Sequence, residues 1–183
     1  FSILLKIGRL FMIKIARLAF IIIFISGCSM NSVSLKTVDQ VNINEFMGSW
    51  YVIAHIPTFI EKEAYNAIES YKLNNDGTIA TTFTFNKGSL EGQKKIYNPK
   101  GFIIKGSNNA QWDMQFIWPI KSQYKITYLD NDYKTTVIAR DALDYVWIMS
   151  RGKVIDKPEL DKIMAHISAL GYNTDLLRMV PHQ

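Results

Sequence analysis

The chain has 183 residues, 48% of them hydrophobic, which is enough for one domain with a sizeable core and too short for two comfortable ones. Its formal net charge is +5, but four basic residues and no acidic residue precede Cys28, which leaves 17 basic against 16 acidic residues after that point. A nearly neutral body disfavours nucleic-acid binding, which needs a surplus of cations to contact phosphates. The single cysteine excludes a disulfide within these residues.

The N-terminal segment has the pattern of a signal peptide. Lys14 and Arg17 lead into an apolar run over residues 18–25. This run falls within the roughly 7–15 residues of a signal-peptide core and is shorter than the about 20 residues that a membrane-spanning helix needs. We therefore expect residues 1–27 to be a signal peptide, with translation starting at Met12 and an upstream extension before it.

The end of the apolar run, Ile25-Ser26-Gly27-Cys28, resembles a lipobox, the processing site of bacterial lipoproteins. In that family the cysteine receives a diacylglycerol and further acyl chains such as palmitate, and a peptidase cleaves directly before it. The resemblance implies that Cys28 anchors the protein in a membrane and that residues 28–40 form a lipidated tether. Ser29, in place of Asp, favours the bacterial outer membrane, facing the periplasm. A plain secretory signal with an incidental cysteine is the alternative.

The middle of the chain is predicted to be all β. Short β-branched and aromatic runs alternate with turn clusters such as Asn74-Asn75-Asp76-Gly77, which is typical of a barrel or a sandwich. Eight strands are predicted, over residues 50–56, 66–73, 78–86, 92–104, 110–118, 123–129, 134–140 and 145–151. One-sided strands with short connections favour an antiparallel up-and-down topology, and closure into a barrel removes exposed edges.

Period-two alternation predicts which side chains form the apolar face of the sheet. These are Ile79, Phe83, Phe85, Trp112, Met114, Phe116, Trp118, Tyr124, Ile126, Tyr128, Tyr145, Trp147 and Met149. The same counting predicts that His55 lies on the outer face of the first strand, and that Glu61 and Glu63 lie in a solvated first loop.

One helix is predicted after the strands, packed against the barrel wall. Asp156 is a suitable N-cap with Glu159 three residues later, as in a capping box, and Gly171 is a suitable C-terminal stop. Apolar residues between them recur at helical spacing: Leu160, Ile163, Met164, Ile167 and Leu170.

Three separated motifs resemble those of the lipocalin family, and specifically its bacterial outer-membrane lipoprotein members. They are the G-x-W motif at Gly48 and Trp50, the T-D-Y motif at Asn131, Asp132 and Tyr133 with Asn in place of Thr, and the lone arginine at Arg151. The similarity covers residues 41–180, and the lipocalin domain is expected to span residues 41–183. The resemblance implies an eight-stranded lipocalin (calycin) barrel with one C-terminal helix.

The resemblance also implies roles for these residues. Trp50 closes one end of the barrel and Arg151 lies across its ring, a cation–π contact worth about 0.5–2 kcal/mol. A carboxylate of the turn that contains Asp132 is expected to orient the guanidinium. The best-marked residues are therefore structural, and the ligand enters at the opposite end.

Resemblance to bacterial lipocalins implies a fatty acid or a lysophospholipid as the ligand, with transport or binding as the function. The candidate ligand-binding residues are Phe83, Phe85, Trp112, Phe116, Tyr124 and Trp147. No cofactor and no metal site are predicted, and the expected partners are a lipid ligand and the membrane. The oligomeric state, monomer or homodimer, stays open.

Two other functions compete with this prediction. An envelope scaffold with a filled barrel is the first. A lipid-modifying enzyme is the second, but the sequence has no G-x-S-x-G elbow, its only thiol is assigned to the anchor, and His55, His166 and His182 lack metal-ligand spacing. The chain is therefore predicted not to be an enzyme.

Overall fold

The computed structural model describes residues 34–183. The predictions for the signal peptide, the start at Met12 and the acylation of Cys28 lie outside the described residues. Within residues 34–183, no helix is long and apolar enough to cross a membrane.

Within residues 34–183, ten strands form a single sheet, flanked by two helices. The strands are β1 Gly48–Ile56, β2 Ala64–Leu73, β3 Thr78–Lys87, β4 Gln93–Tyr97, β5 Lys100–Ile103, β6 Gln111–Ile117, β7 Ile120–Leu129, β8 Thr135–Ala139, β9 Val146–Ser150 and β10 Arg178–Met179. Helix α1 spans Ile43–Phe46, helix α2 spans Lys157–Ala169, and a 3₁₀ turn spans Thr174–Leu176.

Neighbouring strands are antiparallel, and β1 pairs with β9 to close the sheet into a barrel. Strands β4 and β5 both pair with β3 and together occupy one position in the barrel. The predicted single strand over residues 92–104 is therefore interrupted at Pro99, which has no N–H to donate to a ladder. The two-residue strand β10 pairs only with β1 and lies outside the closed ring. With β4 and β5 counted as one strand, the ring has eight strands, and the prediction of a closed eight-stranded antiparallel barrel is confirmed.

Two β-bulges change which face their strands present. The register shifts between Val52 and Ala54 in β1, and between Ile126 and Tyr128 in β7. An extra residue reverses the inward and outward faces beyond the bulge. His55 consequently lies inside the barrel, opposite Trp147, and the prediction that it faces outward is wrong.

The bulge in β7 has the opposite consequence for Tyr128, which sequence alternation placed with the apolar inner face. Its side chain lies outside the barrel, where its hydroxyl donates to Glu159 Oε1 of α2 at 2.5 Å. The inward orientation predicted for Tyr128 is therefore wrong, whereas Tyr124 and Ile126, before the bulge, are buried in the barrel core.

Helix α2 packs on the barrel wall, as predicted. Asp156 is its N-cap and accepts from the Glu159 N–H at 2.9 Å, and Gly171 follows the helix with a φ of +99°. Ile163 and Ile167 are fully buried in an outer core layer against strand residues that face away from the lumen.

The segment before α1 packs along the barrel. Leu35 is buried in the outer core layer, and its N–H donates to Asp141 Oδ1 at 2.7 Å. Further along, the Val38 N–H donates to the Ile126 carbonyl at 2.9 Å. Residues 34–40, the part of the predicted tether that the structure describes, therefore lie along the barrel wall, held by the buried Leu35 side chain and by hydrogen bonds.

Candidate ligand cavity at the open end of the barrel

The two ends of the barrel are built differently. We call the end that carries α1 the closed end, and its connections span residues 74–77, 104–110 and 130–134. We call the other end the open end, and its connections span residues 57–63, 88–92, 118–119 and 140–145. The functional residues divide between these two ends.

Arg151 and Trp50 hold the closed end together. The guanidinium carbon of Arg151 lies 3.7 Å from the centroid of the Trp50 ring, and Trp50 Nε1 donates to the Phe46 carbonyl at 2.9 Å. The Arg151 guanidinium donates to five backbone carbonyls, those of Glu45, Phe46, Met47, Ser49 and Tyr133, at 2.7–3.3 Å. Three of these oxygens belong to the C-terminal end of α1 and its cap, where free carbonyls attract a cation.

The expected carboxylate partner of Arg151 is absent from this set of contacts. Asp132 instead pairs with Lys134 Nζ at 2.9 Å in an exposed turn. Tyr133 of the same motif supplies its carbonyl to Arg151, and its hydroxyl accepts from the Asn42 N–H at 2.8 Å. Backbone oxygens, and not a side-chain carboxylate, therefore orient the Arg151 guanidinium.

Gly48 has a physical reason to be glycine in the G-x-W motif. Its φ is +93°, which side chains other than glycine rarely adopt. A Cβ at this position would also lie 3.4 Å from Arg151 Nη1. A larger residue would strain the backbone beside the guanidinium.

An aromatic cluster fills the lumen above the closed end. Trp112 stacks on Tyr124, with centroids 4.9 Å apart and an interplanar angle of 6°, and Phe46 meets the Trp112 ring edge-on at 5.4 Å. Trp112 is fully buried, and its Nε1 donates to the Asn109 carbonyl at 2.8 Å. Trp112 therefore belongs to the floor of the barrel, below the cavity.

A cavity of about 330 Å³ opens at the other end. Phe83, Phe116 and Trp147 line it, and Tyr124 lines a smaller space of about 40 Å³ that shares part of the same wall. Phe85 and Trp112 line neither of these two spaces in the described part of the chain. Phe85 is buried and stacked on Tyr97 at 6.1 Å. Three of the six candidate ligand-binding residues thus line the cavity, and a fourth, Tyr124, lines the adjoining space.

Two glutamates line the cavity. Glu61 is only 3% exposed, so the prediction that it lies in a solvated loop is wrong, whereas Glu63 is exposed. The Glu61 carboxylate accepts from Trp147 Nε1 at 3.1 Å and from the Thr58 N–H at 3.1 Å. His55 Nδ1 lies 3.5 Å from Glu61 Oε2. The connection between β1 and β2 folds back over the lumen and buries Glu61, and no local sequence pattern predicts this path.

Glu69 is the second glutamate, on the inward face of β2. Burial raises its pKa from 4.5 to about 7, although the Tyr71 hydroxyl, which donates to it, acts in the opposite direction. The Tyr71 hydroxyl also lies 2.8 Å from the Tyr124 hydroxyl. Glu69 lies two residues before the buried Tyr71 in β2, so period-two alternation is a sequence signal that predicts its inward orientation, and our sequence analysis did not use it.

Arg140 supplies a cation at the mouth of the cavity. Its Nη1 lies 3.3 Å from Asp144 Oδ2, and its buried Nε has no hydrogen-bond partner among the described residues. The Tyr172 hydroxyl holds this loop, since it accepts from the Arg140 N–H and lies 2.9 Å from the carbonyls of Arg140 and Tyr145. The cavity is therefore apolar on most of its wall, cationic at its mouth and acidic deeper inside.

Comparison with known proteins agrees with this architecture. A family model described as a lipocalin-like domain matches residues 41–182. The chain is 26% identical to the outer membrane lipoprotein Blc of Vibrio cholerae, over 88% of this chain and 94% of that protein. It is 28% identical to temperature-induced lipocalin-1 of Arabidopsis thaliana, over 80% and 82% of the two chains.

The solved structure of insecticyanin from the tobacco hornworm Manduca sexta has the same fold. It superposes with a TM-score of 0.66 at 16% identity, over 82% of this chain and 85% of that one. The family match, which spans most of the chain, supports binding of a small hydrophobic ligand. The chain belongs to the lipocalin family.

Proposed function

We propose that this lipocalin binds a single-chain lipid, a fatty acid or a lysophospholipid, and carries it in the bacterial cell envelope. The observation that carries the proposal is the apolar cavity of about 330 Å³ that opens at one end of the barrel. This volume lies at the lower end of the roughly 300–1,000 Å³ typical of small-molecule sites, which favours one acyl chain over two. Ten buried methylenes contribute roughly 8 kcal/mol before association costs, which makes micromolar affinity attainable.

The charges in the cavity favour one orientation of the lipid. Glu61 and Glu69 line the interior, where an anionic headgroup would have to lie beside carboxyl groups. Arg140 lines the mouth, where the charge of its guanidinium attracts a carboxylate or phosphate group. The acyl chain then points inward and the headgroup stays at the mouth.

The proposal includes an acyl anchor on Cys28 and a location at the outer membrane, facing the periplasm. The match to the Vibrio cholerae outer membrane lipoprotein covers about 161 residues of this chain, so it reaches back to about position 23 and includes Cys28. A carrier function is consistent with the relatives in this family, and the open cavity counts against a scaffold with a filled barrel.

Native mass spectrometry of the protein purified from membranes tests lipid binding. We expect one single-chain lipid per protein, and we expect Ser122→Phe to exclude it because Ser122 lines the cavity. Ser168→Phe makes the same change on the exposed face of α2 and should leave the lipid bound. Protein that carries no lipid and does not quench on titration with a fluorescent fatty acid would support the scaffold alternative.

Mass spectrometry of the intact mature chain tests the anchor separately. We expect the N-terminal residue to be an acylated Cys28, and Cys28→Ser to remain unprocessed and without acyl chains. A free thiol at Cys28, or a different N-terminus, would contradict the anchor and leave the lipid-binding proposal untouched.

A further inference from the structure

Exposed apolar side chains surround the mouth of the cavity. We call Phe59, Phe116, Ile117, Trp118 and Ile120 the apolar rim. Trp118 is 82% exposed, Phe59 78% and Ile117 64%. Of the nine large hydrophobic residues that are exposed within residues 34–183, these five all lie at the open end. Exposed apolar groups concentrated in this way mark an interaction site, whereas scattered ones do not.

The rim consists of two protrusions. Phe59 stands on the connection between β1 and β2, and the other four residues form the tip of the hairpin between β6 and β7. Four rim residues also line the cavity wall, and Trp118 lies at the outermost turn of the hairpin. A ligand that leaves the cavity must therefore pass between these side chains.

The N-terminal segment leaves the barrel near the same end. Lys125 Nζ donates to Ser34 Oγ at 3.3 Å and contacts Asp141, which lies in the open-end connection between β8 and β9. From Ser34 the chain then descends to α1 at the closed end. Cys28 lies six residues before Ser34, a distance of at most about 20 Å for an extended chain.

From these observations we propose that the apolar rim inserts into the surface of a lipid bilayer, so that the cavity opens directly onto the membrane. The proposal rests on the anchor and the lipid-carrier function proposed above. Because the described chain begins at Ser34 beside the open end, an anchor six residues earlier favours contact of the rim, and not of α1, with the bilayer. Lipid then moves between bilayer and cavity without crossing water.

The chemistry of the rim fits a bilayer better than a protein partner. The hairpin tip carries no charge from Phe116 to Ile120, and its turn presents a tryptophan, a residue enriched at membrane interfaces. Lys62 stands on the same connection as Phe59 and is exposed, and a cation at this place attracts lipid phosphate groups.

Depth-dependent quenching tests the insertion. The full-length, processed and acylated protein is reconstituted in vesicles of phosphatidylcholine brominated on its acyl chains, and its fluorescence is compared with that of Trp118→Phe. The difference between the two isolates the Trp118 signal from those of Trp50, Trp112 and Trp147. We expect the Trp118 signal to lose most of its intensity in brominated vesicles and to shift to the blue.

A reporter at the other end is the matched control. Val154 is 81% exposed and follows β9 at the closed end. The double variant Trp118→Phe with Val154→Trp keeps the same anchor but carries its exposed indole at the end opposite the rim. We expect this indole to remain unquenched. An unquenched Trp118, or equal quenching at the two positions, would overturn the proposal.

A transfer experiment tests the consequence for lipid exchange. Ile117→Ser combined with Trp118→Ser removes exposed side chains, so folding stability should stay within about 0.5 kcal/mol of the wild type. We expect transfer of a fluorescent lysophospholipid from phosphatidylcholine vesicles to slow by roughly tenfold. An unchanged rate would contradict direct exchange. Mass spectra of the same samples show whether Cys28 is acylated and whether lipid is bound. They therefore distinguish failure of direct exchange from failure of the anchor or of lipid binding.

Discussion

The closed and open ends of this barrel both carry tryptophan and arginine, but these residues are enclosed by the fold at the closed end and face solvent or the cavity at the open end. At the closed end Trp50 is fully buried under Arg151, with its indole N–H donating to the Phe46 carbonyl. At the open end Trp118 is 82% exposed and Trp147 faces a cavity. The contrast teaches that the family motifs mark the end that stabilises the fold, whereas the end that contains the cavity carries none of them.

The charges differ between the ends in the same way. Arg151 donates to five backbone carbonyls, whereas Arg140 lines the mouth of the cavity with its Nη1 3.3 Å from Asp144 Oδ2. A cation enclosed by backbone carbonyls stabilises the fold, and a cation beside a cavity attracts an anionic group of a ligand. The predictions that follow test this division.

The largest effect is expected for Trp50→Ala. Removal of a fully buried indole, together with its hydrogen bond and its stacking on Arg151, should lower the free energy of unfolding by about 4 to 5 kcal/mol in urea titrations. Trp118→Ala, the same change at the open end, should cost less than about 0.5 kcal/mol. Equal losses for the two variants would erase the distinction between the ends.

Arg151→Ala should lower the free energy of unfolding by about 3 to 4 kcal/mol, because it leaves several carbonyls of α1 and its neighbours without a donor. Lipid affinity of the folded fraction should stay at the wild-type value, measured by fluorescence titration. Lys153→Ala, at an exposed position two residues later, is the control and should be neutral. Wild-type stability for both Trp50→Ala and Arg151→Ala would count against a structural role for the motif.

Glu69→Gln should change the pH dependence of stability. Burial raises the pKa of Glu69 from 4.5 to about 7, so the folded state holds this proton more tightly than the unfolded state. The stabilisation is complete below about pH 4.5, and it is lost as the pH rises towards 7 and above. The wild type should therefore lose about 2 to 3 kcal/mol relative to Glu69→Gln between pH 4.5 and 8, measured by urea unfolding. Parallel stability curves for the two proteins would disprove this account of Glu69.

Tyr172→Phe should have the smallest effect, about 1 kcal/mol, because it removes one hydroxyl that joins the connection between β8 and β9 to the segment after α2. Hydrogen exchange of the amides in residues 140–145 should accelerate, while the amides of α1 keep their wild-type rates. Tyr97→Phe in β4 is the matched control. Uniform acceleration at both ends would mean that the variant loosens the whole barrel.

Much of the fold follows from the sequence, because alternation reports directly which face of a strand is buried. Phe83, Trp112 and Met149 face the core as predicted. Three orientations are predicted wrongly, and all three residues lie beyond a register shift: His55, Tyr128 and Trp118, which is 82% exposed at the turn between β6 and β7 and not on the inner face. A bulge depends on pairing with another strand, so a pattern within one strand does not reveal it.

The cavity was less predictable than the fold. Alternation assigned Phe83 and Trp112 to the same inner face, but it carries no information on depth along the barrel axis, and only Phe83 reaches the cavity. The burial of Glu61 depends on the course of a loop, and the carbonyl ring around Arg151 depends on where α1 ends. Both are tertiary features without a local sequence signal.

Quenching by a bound lipid is the most direct test of the central claim that the ligand lies at the open end. A lysophospholipid brominated on its acyl chain is titrated into Trp118→Phe, which lacks the exposed indole at the mouth, and into Trp118→Phe combined with Trp147→Phe. Because Trp147 lines the cavity while Trp50 and Trp112 lie beneath its floor, we expect saturable quenching in the first protein that is largely lost in the second. Quenching of equal size in both proteins, or none in either, would contradict the claim.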